Sequence, residues 1–267
     1  MSAVLITGCS SGIGAATVQW FLARGWTVYA TARQPQSLPH HPLCRPLAMD
    51  VDDPASVRAA FELVGHELPR LDAVVNNAGY GLSGSFESIS EEAIRRQFET
   101  NVFGLMRVSR AALAQFRAQG GGVLVNVASM GGRLSFPFYA PYHASKWAVE
   151  GFSESLAFEA AEIGVRVKLI EPGAIRTDFY GRSAEFVHDP ALSAYNAAVE
   201  RSTSRMQAVG GKGSDPALVA AAIWQACTDG SERLRYPVGP DARLLLGLRR
   251  WISDRRYLRL MRQRLMR

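Results

Sequence analysis

Short apolar runs alternate along the chain with longer stretches of helical period. Val4-Leu5-Ile6 has the continuous hydrophobicity of a strand buried on both faces and ends in a glycine-rich turn. Ala15 to Arg24 then carries helical spacing, with Val18, Phe21 and Leu22 on one face, until Gly25 stops it. Thr27-Val28-Tyr29-Ala30 reads as a second strand and Cys44 to Met49 as a third. Pro54 to Glu67 follows Asp53 as a helix. Leu71 to Val75, Val123 to Val127 and Val165 to Ile170 give three more strands, with helical stretches over 90–118 and 140–163 between them.

Strands separated by helices of this length predict βαβ units and a parallel sheet. Because such crossovers are right-handed, the layers wrap as a doubly wound, Rossmann-like α/β sheet of about seven strands with helices on both faces. No repeat or linker interrupts residues 1–241, which read as one domain. A hydrophobic content of 48% over 267 residues is enough for a single core without staples.

Three cysteines with no CxxC spacing argue against a disulfide framework, and no metal-ligand spacing is present. The start MSAVLITG reads as a strand and not as a signal peptide, and no apolar run reaches the roughly 18 residues of a membrane span. The expectation is a cytoplasmic protein. The net charge of +6 is uneven: residues 242–267 hold nine arginines and one aspartate, so the remainder carries a slight negative excess.

Thr7-Gly8-Cys9-Ser10-Ser11-Gly12-Ile13-Gly14 lies between the first strand and the first helix. Glycine lets a backbone turn tightly and approach a ligand, and the helix start behind it offers free N–H groups to a pyrophosphate. The same residues also match the Gly-x-Ser-x-Gly elbow of a serine hydrolase, with Ser10 as nucleophile. Only one strand precedes Ser10, where an elbow needs earlier strands for its oxyanion hole. Of the five histidines, His143 and His188 alone lie late enough to serve it, and neither has a persuasive acidic partner.

TGCSSGIG, covering Gly8, Ser10, Ser11, Gly12, Ile13 and Gly14, resembles the cofactor loop of the short-chain dehydrogenase/reductase family. Four further features follow in that family's order: Asn76-Asn77-Ala78-Gly79, Asn101, Ser129 and Tyr142-His143-Ala144-Ser145-Lys146. Pro172-Gly173 closes the sixth strand as the family has it, and the likeness runs over about residues 3–180. The resemblance implies a nicotinamide cofactor held by Gly8 to Gly14, Asp50-Val51 at the adenine, Asn77, Ala78, Gly79, Tyr142, Lys146, Pro172, Gly173 and Thr177. It also implies a mobile lid over about 177–212, and a homodimer or homotetramer paired through helices at about 94–118 and 140–163. After the second strand the chain reads Thr31-Ala32-Arg33, with a guanidinium where an NAD enzyme would keep a carboxylate. Arg33 suits a 2′-phosphate, so NADP(H) is expected ahead of NAD(H); the alternative is a solvated loop arginine.

Tyr142 and Lys146 are four residues apart in a helical stretch and share a face. A free phenol titrates at about 10, and an ammonium within reach favours the phenolate, so Lys146 is expected to lower Tyr142 and make it a general acid/base. Tyr139 lies too far from Lys146 along the helix and reads as packing or substrate wall. Ser129 ends a strand at the carboxyl edge, where open α/β sheets gather ligands. By resemblance, Lys146 also holds the nicotinamide ribose and Asn101 links Lys146 to solvent through a water.

The function this implies is an NADP(H)-dependent oxidoreductase interconverting a ketone or aldehyde and an alcohol. A non-catalytic NADP-binding sensor of the same fold is the alternative. Met130, Phe136, Pro137 and Phe138, with Phe179, Tyr180, Phe186, Val187 and Tyr195 in the lid, suggest an apolar pocket for a hydrophobic substrate. In wording the motifs stand nearest the 17β-hydroxysteroid and retinol dehydrogenase branch. Leu244, Leu248, Trp251, Leu258, Met261 and Leu265 approximate a stripe on a basic helix over 242–267. Such a helix can lie on a membrane surface, cover the pocket or meet a partner subunit; nucleic acid is not expected.

Overall fold

The computed structural model describes residues 2–177 and 184–266. Seven parallel strands form the main sheet in the order β3-β2-β1-β4-β6-β7-β9. They are β1 (Ala3–Ile6), β2 (Thr27–Ala32), β3 (Cys44–Ala48), β4 (Ala73–Asn76), β6 (Gly122–Val127), β7 (Val165–Pro172) and β9 (Arg235–Val238). The doubly wound α/β architecture expected from the strand–helix alternation is the one observed.

Strand residues alternate between two core layers because successive Cβ atoms point to opposite faces. Val4 and Ile6 of β1 pack with Val18 and Phe21 of α1 (Gly12–Leu22) and with Val219 and Ile223 of α7 (Pro216–Thr228). Ala3 and Leu5 turn the other way. They meet Phe61 and Val64 of α2 (Pro54–Glu67), Val108 and Phe116 of α4 (Leu105–Gln119), and Leu156 of α5 (Ala140–Ala161). Burying a side chain such as Phe21 or Phe116 contributes about 1.5–3 kcal/mol each.

The chain departs from the periodic reading in four places. The stretch over 90–118 is α3 (Glu91–Phe98) and α4, joined by a π-helical turn at Glu99–Gly104. A second, two-stranded parallel sheet pairs β5 (Gly81–Gly84) with β8 (Ala184–Val187), and the sequence pattern did not signal it. Strand β9 and helix α7 likewise lacked a readable period. The expected single tail helix is two, α8 (Pro240–Arg249) and α9 (Asp254–Leu265), separated at residues 250–253 where Ser253 starts a new helix.

Topology fixes where a ligand can sit. From β1 the chain runs outward to β2 and β3, then returns to β4 on the other side of β1. The crevice between the carboxyl ends of β1 and β4 is therefore the switch point at which open α/β sheets bind ligands.

Candidate active site

A cleft of about 680 Å³ opens at that switch point. At one end lies the turn between β1 and α1. Gly8 and Gly12 adopt φ of +68° and +56°, which side chains with a Cβ rarely tolerate. Gly14 is required for another reason: a Cβ there would sit 2.2 Å from the Gly8 carbonyl oxygen. Ser11 caps α1 without a side-chain hydrogen bond, so backbone N–H groups of the first turn face the cleft.

Thr7 and Asn77 clamp this turn to β4. Backbone N–H groups of Asn77 and Ala78 both donate to Thr7 Oγ1 at 2.9 Å, and Asn77 Nδ2 donates to the Thr7 and Gly8 carbonyls at 2.9 and 3.0 Å. Arg33, at the end of β2, is exposed on the cleft and forms no ion pair among the described residues. Asp50 and Val51 line the wall beside it.

The other end is built from β6, α5 and the segment between them. Ser129 lies two residues past the end of β6; its Oγ accepts from Gly131 N–H at 2.9 Å and is hydrogen-bonded to the Tyr142 phenol. Lys146 is buried and donates from Nζ to the Val127 carbonyl at 3.0 Å. Ser129, Tyr142 and Lys146 all line the same cleft.

The electrostatics correct one expectation. Burial pushes the Tyr142 phenol up to about 12, the Ser129 hydrogen bond opposes this only in part, and Tyr139 adds to the rise. Desolvation lowers Lys146 to about 8 against the supporting charge of Glu150. At neutral pH the phenol is therefore fully protonated.

Among the described residues His143 hydrogen-bonds neither Ser10 nor an acidic group; it braces the loop between Ser129 and Tyr142. Its Nδ1 donates to the Gly131 carbonyl at 2.7 Å and its Nε2 accepts from Phe136 N–H at 2.9 Å. Those two partners fix the neutral tautomer with hydrogen on Nδ1. Farther along, Phe138 takes φ +64° and its carbonyl accepts from Gly84 N–H at 2.9 Å. This stitches β5 to the loop that carries Tyr139, whose phenol is hydrogen-bonded to Ser83.

Gly8, Ser10, Ser11, Gly12, Ile13, Arg33, Asp50, Val51, Asn77, Ala78, Gly79, Ser129, Tyr142, Lys146, Pro172, Gly173 and Thr177 all line the cleft. Gly14 and Asn101 do not. Gly14 is a packing position. Asn101 sits in the π-helical turn behind the wall and holds the Tyr80 backbone, accepting from its N–H at 3.0 Å and donating to its carbonyl at 3.0 Å. Its Nδ2 also reaches Ser145 Oγ at 3.2 Å, and no hydrogen bond joins it to Lys146.

Of the apolar residues expected at the substrate end, Met130 and Phe136 line the cleft. Pro137, Phe138, Phe186, Val187 and Tyr195 do not, and Phe179 and Tyr180 fall outside the described residues. Sequence reading missed Met206 of α6 (Ser193–Gly211), which packs with Tyr139 and Tyr142, and a charged rim of Asp52, Arg96, Glu99 and Glu185. Arg96 pairs with Glu185 at 3.0 Å and so ties β8 to α3 across the mouth. Only the fold, which brings these distant segments together, could have revealed them. Among the described residues no cluster of His, Cys, Asp and Glu suits a metal.

Comparisons with known proteins agree with this architecture. The family profile for short chain dehydrogenase matches residues 2–187. The uncharacterized oxidoreductase YusZ of Bacillus subtilis is 38% identical over 256 residues, covering 91% of this chain and 90% of that one. A 3-ketodihydrosphingosine reductase of Bacteroides thetaiotaomicron is 34% identical, with coverage of 94% and 93%. A solved short-chain dehydrogenase from Streptomyces avermitilis superposes with a TM-score of 0.83 at 36% identity, covering 92% of this chain and 90% of that one. A Burkholderia cenocepacia short chain dehydrogenase solved in complex with NADP shares the fold, with a TM-score of 0.76 at 24% identity and coverage of 100% and 98%.

Proposed function

The chain belongs to the short-chain dehydrogenase family, and from that premise we propose that it is an NADPH-dependent reductase of a hydrophobic ketone or aldehyde. The observation that carries this reading is the Ser129–Tyr142 pair, with Lys146 one turn further along α5, on the floor of a cleft whose far end holds the α1 glycine turn and Arg33.

The cofactor end fits a dinucleotide phosphate on its own geometry. A backbone free of Cβ atoms at Gly8 and Gly12 and an uncapped helix start form an anion cradle. Arg33 adds a guanidinium where a 2′-phosphate would need one, and the end of β2 offers no carboxylate to repel it. When bound, the nicotinamide supplies the hydride. The remaining chemistry belongs to the chain. Ser129 and Tyr142 hold the substrate oxygen, and Tyr142 gives it a proton as charge develops there. Lys146, lining the same cleft, would hold the nicotinamide ribose by its ammonium.

A phenol raised to about 12 is in the proton-loaded form that reduction uses. Met130, Phe136, Tyr139 and Met206 make the substrate end apolar. The long-chain ketone named for the Bacteroides relative has the same character. Exposed Phe103, Trp147 and Phe158, around the start of α4 and along α5, are the surface we assign to pairing of two copies. Three free, buried cysteines suit the reducing cytoplasm.

Binding of NADPH and NADH is measured on the wild type, Arg33→Ala and Tyr142→Phe, followed by turnover of aliphatic, steroid and long-chain ketones. Arg33→Ala is expected to weaken NADPH alone, and Tyr142→Phe to keep NADPH affinity while losing roughly 10²–10⁴ in turnover. Equal binding of both cofactors by the wild type refutes the NADPH preference. Unchanged turnover in Tyr142→Phe refutes the assignment of the proton donor.

A further inference from the structure

The break in the tail gives its two helices separate duties. Helix α9 turns Tyr257 and Met261 inward against Met130, Leu134 and Phe136, and Leu265 reaches the cluster of Tyr139, Tyr142 and Met206. Tyr257 fixes that contact: its phenol donates to the Ser135 carbonyl at 2.9 Å, and Arg249 stacks on its ring. The inner face of α9 is thus the outer layer of the substrate end of the cleft.

The outer face is different. On α8, Leu244 and Leu248 are 62% and 48% exposed and lie one turn apart. Trp251 just beyond continues that side at 88%, and Leu258 on α9 is 63% exposed. Interleaved with them, Arg250, Arg255, Arg256, Arg259 and Arg262 are exposed and form no ion pair among the described residues. Of the two acids on these helices, Asp254 is paired with Arg249, and Asp241 at the start of α8 accepts from Ala174 N–H. The tail thus presents exposed apolar side chains, Trp251 the most exposed of them, among arginines that form no ion pair among the described residues.

That combination selects its partner. Burying these apolar side chains against a second copy would bring two sets of arginines together around one axis, at a cost from like-charge repulsion. A water–lipid boundary takes the leucines and the indole at its acyl edge while anionic headgroups neutralise the guanidinium groups. On α9, Arg255, Arg259 and Arg262 lie opposite Tyr257 and Met261, so docking through them leaves the cleft wall in place. No helix among the described residues is long and apolar enough to cross a membrane, so the contact is peripheral.

We propose that the outer face of α8 and α9 docks on an anionic lipid surface and holds the substrate end of the cleft against it, so that the substrate is an apolar ketone resident in that surface. The docking stands on the tail alone, whereas the substrate clause rests on the reductase function proposed above.

The full chain is sedimented with vesicles of phosphatidylcholine and of phosphatidylcholine with phosphatidylglycerol. Wild type, Leu248→Glu/Trp251→Glu and Arg255→Gln/Arg259→Gln are compared. Pelleting is expected only with the anionic vesicles and is expected to fall as salt rises. The double arginine variant should lose roughly thirtyfold in vesicle affinity, at about fivefold per charge, and the acidic variant should not pellet. Pelleting with neither vesicle, equal pelleting with both, or pelleting undiminished in the two variants overturns the proposal. So does a dimer that dissociates in the acidic variant without vesicle binding, which would make a second copy the occupant.

Turnover is then compared for a short water-soluble ketone and a long-chain ketone held in the anionic vesicles. Both variants should match the wild type on the first and fall below it on the second. Equal turnover of the vesicle-held ketone by all three proteins overturns the substrate clause. No turnover of either ketone by the wild type would count against the reductase reading and leave the vesicle result standing.

Discussion

His143 sits between two residues assigned to chemistry yet touches neither substrate nor cofactor in the arrangement proposed above. Replacing it with Gln tests whether it braces the loop. The side chain is 5% exposed, donates to the Gly131 carbonyl and accepts from Phe136 N–H. Burial lowers its pKa from 6.5 to about 4, and the Phe136 donor presses the same way, since a protonated ring would set two N–H groups against each other. The folded pKa is depressed, so the neutral ring's contribution is fully present above pH 6.5 and is lost as pH falls through about 4. The shift corresponds to about 3 kcal/mol.

Urea unfolding at a series of pH values, on wild type and His143→Gln, reads this directly. At pH 7 the variant should be less stable, by about 1–3 kcal/mol for each buried backbone group that the new amide fails to satisfy. That gap should close by about 3 kcal/mol between pH 6.5 and pH 4. At the acid end the variant should therefore equal or exceed the wild type. The buried carboxylates titrate in both proteins and cancel in the difference. A gap that stays constant across this range would refute both the tautomer and its role as a brace.

Gly14→Ala should disturb the loop by backbone collision, because its Cβ would lie 2.2 Å from the Gly8 carbonyl oxygen and 2.6 Å from Asn77 Nδ2. A stability loss of about 1–3 kcal/mol with weakened NADPH binding is expected by calorimetry, and wild-type values for both would contradict the packing role. Glu150→Gln removes the carboxylate that supports the Lys146 ammonium. The alkaline limb of the pH–activity profile should move to lower pH in this variant, and an unmoved limb would show that Glu150 does not act on Lys146.

Much of this architecture was legible because its signals are local. The β1 and β6 runs have the continuous hydrophobicity of doubly buried strands, and the Gly8–Gly14 turn is written in residues whose backbone geometry only glycine allows. What escaped depended on distant partners. Gly81–Gly84 has no strand propensity, and it pairs because Gly84 takes φ +147° and lets the Val187 carbonyl approach, 103 residues along the chain. Helix α7 is apolar nearly all round, so it shows no amphipathic period; it packs against both the sheet and its neighbour α1. The tail read as one stripe because the outward Leu244 and Leu248 and the inward Met261 repeat at helical spacing, and the break at residues 250–253 hid in an otherwise helical composition.

The Tyr142–Lys146 pair marks the limit of spacing as an argument. Four residues on a helix bring the two onto one face, but the sign of a pKa shift depends on what surrounds them. Both groups are buried, and desolvation opposes the charged form of each, raising the phenol and lowering the ammonium. Lys146 also donates to the Val127 carbonyl, and the phenol is hydrogen-bonded to Ser129. Burial thus makes a phenolate costly, while an ammonium lowered to about 8 still keeps most of its charge at neutral pH. In the proposed reaction the proton leaves Tyr142 as negative charge develops on a substrate oxygen held against Ser129 and Tyr142. The burial that defeats the simple spacing argument is what suits the proposed site to protonating a carbonyl oxygen as it is reduced.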